Sequence, residues 1–251
     1  MIADNISKIR QQIDLASRRA GRDPAEITLV AVSKTFPAEM VKTAVRAGVA
    51  DIAESYVQEL LNKRHAVNDD SIRWHDIGHL QTNKVKHIVE WVHLIHSVDS
   101  LALANEIDKR AASVNRRIDI LIEVKTTGEP SKFGLEPDRT VDFVRGLAQF
   151  RHIRVLGLMT IGPFLPDPEG SRPMFRRLKL LKDRLGSLDQ ENVEMKHLSM
   201  GMTGDFEVAI EEGATLIRIG TAIFGPRKNP LRPLAVARVE TLDLKDKRRR
   251  E

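Results

Sequence analysis

Eight short apolar runs, each handing over to a longer stretch, constrain this chain more than any other feature of its sequence. The runs are residues 27–32, 50–53, 72–77, 92–96, 118–124, 153–159, 195–199 and 215–219. The intervening stretches include 38–47, 81–89, 101–114, 136–150, 171–185 and 206–212, and their apolar residues fall on one helical face. Strands buried on both faces and separated by helices belong to parallel sheets. Eight such units predict an α/β fold, a single (β/α)8 TIM barrel. Ile6, Ile9, Ile13 and Ala16 predict an extra N-terminal helix before the first strand. A doubly wound open sheet is the other fold these runs allow, but no dinucleotide glycine fingerprint follows the first of them. The expected organisation is one barrel over 1–227 and a basic C-terminal tail over 228–251, with Pro230, Pro233 and the closing KDKRRRE.

Composition narrows the partners. The chain has no cysteine, which excludes disulfides, thiol catalysis and thiolate metal sites. A net charge of +5 raises nucleic acid as a ligand, but the basic residues are spread out. Aromatic residues, at 4%, are too few for base-stacking platforms, so anionic small molecules are the better expectation. No run is long enough to span a membrane, and MIADNISKIRQQIDLASRRAG lacks the apolar core of an export signal. The expectation is a cytoplasmic protein with no membrane partner, a monomer with a dimer as the alternative.

In a barrel of this kind the chemistry gathers where the strands end. The first run, ITLVAVSKTFP, ends on Ser33 and Lys34 before any turn residue arrives, which fits an amine held at a pocket mouth as well as a surface charge. The later ends are polar or glycine-bearing: Glu54-Ser55-Tyr56, Gly78-His79-Leu80-Gln81, Ser97-Val98-Asp99, Lys125-Thr126-Thr127-Gly128, Thr160-Ile161-Gly162, Met200-Gly201-Met202-Thr203-Gly204 and Gly220-Thr221. The seventh and eighth ends, with Ser199 and Arg218 beside them, have the glycines and hydroxyls of a phosphate site. A phosphate site and a strand-end lysine together point to pyridoxal 5'-phosphate (PLP). An amine among apolar walls is helped toward Schiff-base formation. A permanently charged arginine beside the pyridine nitrogen keeps that nitrogen unprotonated, and the ring becomes a poorer electron sink.

The stretches AVSKTFP, ESYVQELLNK, WHDIGHLQTNK, IHSVDS, SKFGL, GLMTIGP, LSMGMTGDFEVAI and IRIGTAIFGPR resemble the pyridoxal-phosphate homeostasis proteins, in order and over about 27–227. The resemblance implies an alanine-racemase-like barrel without a second β-domain, no firm catalytic reaction, and a role in balancing vitamin B6. It implies that Lys34 carries the Schiff base. Ser199, Gly220 and Thr221 match the phosphate-binding positions, and Arg218 the arginine facing the pyridine nitrogen. Ser55 stands where the family usually has asparagine, and Lys125 where asparagine is common after the fifth strand. Met159 and Met202 sit at strand ends, where core filling is the ordinary role and contact with the cofactor ring the specific one. PLP-dependent apo-enzymes are the candidate recipients of the cofactor.

Other features have ordinary explanations. His75 and His79 are four apart, but a glycine and a strand end intervene, so no metal site is expected. His93 and His96 flank a short strand. Trp74 and Trp91 are expected in the core, and NKVKH as a solvated face. The competing activity is a PLP-dependent amino-acid racemase, which needs a second acid/base opposite the lysine. Tyr56 is the chain's one tyrosine, and no second domain is expected beside it.

Overall fold

The computed structural model describes residues 1–126, 133–163 and 165–226. The expected tail over 228–251 and part of the loop after the fifth strand lie outside the described residues.

Eight strands close into a parallel barrel in chain order, with β8 returning to β1. They are β1 (Thr28–Val32), β2 (Asp51–Glu54), β3 (Arg73–Asp76), β4 (Leu94–Val98), β5 (Ile118–Glu123), β6 (Ile153–Met159), β7 (Val193–Ser199) and β8 (Leu216–Ile219). Each falls within, or within two residues of, its apolar run. The helices are α1 (Ile2–Arg19), α2 (Ala38–Arg46), α3 (Val57–Val67), α4 (Leu101–Ser113), α5 (Pro137–Gly146), α6 (Arg172–Gly186), α7 (Phe206–Glu211) and α8 (Thr221–Phe224). The expected helix over 81–89 is instead a 3-10 turn, Thr82–His87. Val85 and Ile88 are its buried anchors, and their spacing of three places both on one side of a helix with three residues per turn. The charged side of NKVKH faces solvent as expected.

The N-terminal helix buries Ile6, Ile9 and Ile13 and packs on α2, α7 and α8, over the seam where β8 meets β1. Arg22, just beyond α1, donates from Nη1 to the carbonyls of Ile210 and Ala214 and ties that end down. No helix among the described residues is long and apolar enough to cross a membrane.

Two apolar clusters divide the core. The larger lies between strands and helices and includes Trp74, with half-buried Trp91 packed against it under the Arg64 guanidinium. The smaller fills the barrel: Val30, Val32, Ala53, Ile77, Leu94, Leu121, Leu156, Met159 and Leu216. It is small because several inward positions are polar. Alternation along the strands turns Asp51 inward with Ala53, His75 with Ile77, His96 with Leu94, and Arg218 with Leu216. An ordinary barrel of this type fills those positions with branched apolar side chains.

Candidate functional site

The C-terminal ends of the strands enclose a cavity of about 1390 Å³. Lys34 lines it directly after β1. Ser55 and Tyr56 come from the end of β2, Gly78 and His79 from β3, and Met202, Thr203 and Gly204 from the β7–α7 loop. Arg218, Gly220 and Thr221 come from β8 and the start of α8. Val32, Ile77 and Ile161 supply apolar wall.

The turn that carries Lys34 is braced on both sides. The Lys63 ammonium, from α3, donates to the Ser33 carbonyl at 2.6 Å, to Glu54 at 2.6 Å and to Glu59 at 2.8 Å. The Ser33 hydroxyl donates to Glu54 at 2.5 Å, and the Thr35 amide donates to Glu59 at 2.7 Å. Thr35 has φ of +71°, a left-handed conformation that costs a β-branched residue energy and persists where its surroundings enforce it. The peptide groups before and after Lys34 are thus both anchored to α3. Lys63 is almost completely buried among carboxylates, and burial pushes the Glu54 carboxyl up to about 7 against the pull of Lys63.

Arg218 is buried yet reaches the cavity wall. Nη1 donates to Ser199 Oγ at 2.6 Å and Nη2 to the Thr160 carbonyl at 2.8 Å. Burial lowers its guanidinium to about 10, with Asp205 and Glu123 opposing that shift. Glu123, also on the wall, is pushed up to about 7 by burial and by neighbouring Asp99.

Beyond the ends of β7 and β8 the Thr221 hydroxyl lies 3.2 Å from that of Thr203. Asp205 shapes this loop by accepting from the Met202 amide at 2.7 Å. Gly201 has φ of +89°, and its carbonyl accepts from the Arg218 amide at 3.0 Å, joining the β7 loop to β8. Gly78 is required for a different reason. A Cβ there would stand 1.9 Å from the Ser55 carbonyl oxygen, so β3 ends against the backbone that carries Ser55.

Of the residues expected at the site, the fold brings Lys34, Ser55, Met202, Arg218, Gly220 and Thr221 to one cavity. Met159 is fully buried in the barrel interior, and Ser199 lies behind Arg218 with its hydroxyl engaged. Lys125 pairs with Glu136 at 3.1 Å. His79 stacks on Phe133 at the mouth, with ring centroids 3.7 Å apart. His75 is a barrel histidine bonded at both nitrogens. Asp51, His75 and His93 do approach one another, but Arg73 takes both oxygens of Asp51, at 2.7 and 2.6 Å, and supplies the cation there.

Thr203 belongs to the seventh strand end, whose glycines and hydroxyls mark it in the sequence; Glu59 and Lys63 carry site geometry that no strand end marks. The 59/63 pair had only its i,i+4 spacing to give it away, and that spacing is as common on solvated helices.

The residues fit PLP. An amine, a guanidinium and a pair of hydroxyls open onto one partly apolar cavity. The profile described as alanine racemase, N-terminal domain, matches residues 5–228. A pyridoxal phosphate homeostasis protein of Aquifex aeolicus is 46% identical over 225 residues, 90% of this chain and 98% of its own length. A protein of the same name from Pseudomonas aeruginosa is 40% identical over 230 residues, covering 90% and 96%. Among solved structures, PipY of Synechococcus elongatus PCC7942 with PLP bound superposes with a TM-score of 0.80 at 32% identity, covering 90% of this chain and all of that one.

Proposed function

The chain belongs to the family of pyridoxal phosphate homeostasis proteins, and from that premise we propose that it binds PLP as a Schiff base on Lys34 and buffers vitamin B6 in the cytoplasm. The observation that carries this reading is the convergence on one cavity of Lys34, Arg218 and the Thr203–Thr221 hydroxyl pair. Bound there, PLP supplies an aldehyde that condenses reversibly with amines. The residues do the rest. The Glu59–Lys63 brace fixes the backbone on either side of the Lys34 amine. Thr203, Thr221 and the Gly220 turn are suited to hold the phosphate, and Arg218 to meet the ring nitrogen as a donor. Met202 is placed for contact with the ring, and Ser55 borders the same space.

Reversible condensation at Lys34 suits exchange of the cofactor with apo-enzymes. Borohydride reduction of the PLP-loaded protein followed by peptide mass spectrometry is the direct test. The adduct is expected on Lys34 and absent in Lys34→Ala; an adduct confined to another lysine would sink the assignment. Racemisation of alanine or serine near ~10 per second, a typical enzyme rate, would replace the buffering role with the racemase activity.

A further inference from the structure

A continuous line of buried polar side chains runs across the barrel interior beneath the cavity. Arg218 on β8 meets Ser199 on β7 at 2.6 Å. Ser199 Oγ lies 2.9 Å from His96 Nδ1 on β4. His96 Nε2 lies 2.9 Å from His75 Nδ1 on β3, and His75 Nε2 lies 3.0 Å from Asp51 Oδ1 on β2. Five strands contribute one residue each, and all five residues are buried.

The two ends of this line fix its direction. A guanidinium can only donate and a carboxylate can only accept. Burial by itself would raise the Asp51 carboxyl, but the bonds from His75 and Arg73 outweigh that and hold it near 2, so it is ionised. His75 must therefore donate from Nε2. With its one ring proton at Nε2, His75 accepts at Nδ1, so His96 donates from Nε2 and accepts from the Ser199 hydroxyl at Nδ1. The groups facing His96 are His75, Arg218, His197 and His93, and burial with these neighbours holds its imidazole well below the usual range, in the neutral form.

We propose that Ser199, His96, His75 and Asp51 form a one-way hydrogen-bond chain whose function is to position Arg218 for the ring nitrogen of the cofactor. The proposal rests on the PLP-binding reading for that last contact only. One N–H of Nη1 is bonded to the chain and one of Nη2 to the Thr160 carbonyl, so the plane of the guanidinium is fixed from below. Glu123 and Asp205 supply charge nearby, but neither appears among the hydrogen-bond partners that fix this plane. The ion pair of Asp51 with Arg73 anchors the far end. Apolar residues in these positions would fill the barrel equally well; the polar ones specify an orientation. Ser199 is thus a positioning residue rather than a phosphate ligand.

The test has two independent parts. Long-range 1H–15N spectra of the histidines, recorded on full-length protein without cofactor, should place the ring proton of His75 and of His96 at Nε2 and none at Nδ1. A proton on His96 Nδ1 would break the chain as drawn, whether or not PLP binds. The second part compares affinity for PLP with affinity for its 1-deaza analogue, which keeps the aldehyde and the phosphate but lacks the ring nitrogen. His96→Leu should weaken PLP about tenfold or more, the worth of one charged hydrogen bond, and leave the analogue within about twofold. His96→Gln can accept from Ser199 and donate to His75, so it should recover most of the PLP affinity. Equal losses for both ligands would reduce the chain to a packing role and overturn the proposal. Should His96→Leu fail to fold, Ser199→Ala carries the same comparison. Wild-type protein that binds neither ligand would remove the PLP reading while the spectra still decide the chain.

Discussion

Replacing Lys63 by methionine removes the one ammonium that joins β1, β2 and α3 beneath the Lys34 turn. Three acceptors lose the Lys63 ammonium at once: the Ser33 carbonyl, Glu54, which keeps the Ser33 hydroxyl, and Glu59, which keeps the Thr35 amide. The side chains of Lys63, Glu54 and Glu59 are 5%, 0% and 13% exposed, so water cannot substitute fully. Breaking a buried pair from one side costs about 3–5 kcal/mol, mainly from the charge left behind. For a chain of this size that is a fall in Tm of roughly 6–20 °C. The pH dependence separates this account from simple loss of packing. Burial holds Glu54 at about 7 while Lys63 is present, and loss of Lys63 raises it further. At pH 5 Glu54 carries its proton in both proteins, so the part of the penalty that comes from the Lys63–Glu54 charge pair is small. At pH 8 the wild type has an ionised, paired Glu54, whereas the variant must hold either a bare carboxylate or an unfavourable proton. Thermal melts of both proteins from pH 5 to 8 should therefore show a Tm gap that widens with pH. A gap that stays constant across that range, or is smaller than about 3 °C at pH 8, would refute the reasoning.

Three further outcomes are expected. Thr221→Val should weaken PLP about tenfold or more, from one hydrogen bond to a charged group, and leave unphosphorylated pyridoxal unaffected; equal affinity for PLP in both proteins would remove Thr221 from the phosphate site. Gly78→Ala places a methyl 1.9 Å from the Ser55 carbonyl, a backbone atom that cannot swing aside, so the variant should lose several degrees of Tm, and a melt matching wild type would contradict that contact. Burial, then the nearby Glu54, pushes the Asp76 carboxyl up to about 8. Its contribution to stability is complete at pH values below the ordinary carboxylate range and is lost as pH rises through about 8. Wild type should therefore lose stability relative to Asp76→Asn between pH 5 and 9, and parallel denaturant midpoints would count against a buried neutral Asp76.

The barrel itself was legible because burial writes its period into the chain locally. Val30, Ala31 and Val32 are buried on both faces of the sheet and so read as one apolar run, and Ile6, Ile9 and Ile13 repeat on one helical face, with no need of a partner to be recognised. Lys34, Arg218, Gly220 and Thr221 were legible for a related reason: each sits at or near the end of its own run, and strand ends converge in this fold. The stretch 81–89 misled because Val85 and Ile88 suit a 3-10 turn as well as an α-helix. What closure alone decided is which side chains meet. Ser199 follows its strand as a phosphate ligand should, yet it lies under Arg218 because β7 and β8 are neighbours in the closed sheet. Lys63 looks like a solvent-facing member of an i,i+4 pair until α3 is laid against β2 and β3, beside the turn that follows β1. Asp51, His75 and His96 are separated by 24 and 21 residues and become one line of hydrogen bonds because β2, β3 and β4 stand side by side. Periodicity is a property of consecutive residues, whereas a polar contact across the barrel depends on strand order and register, which exist once the sheet has closed.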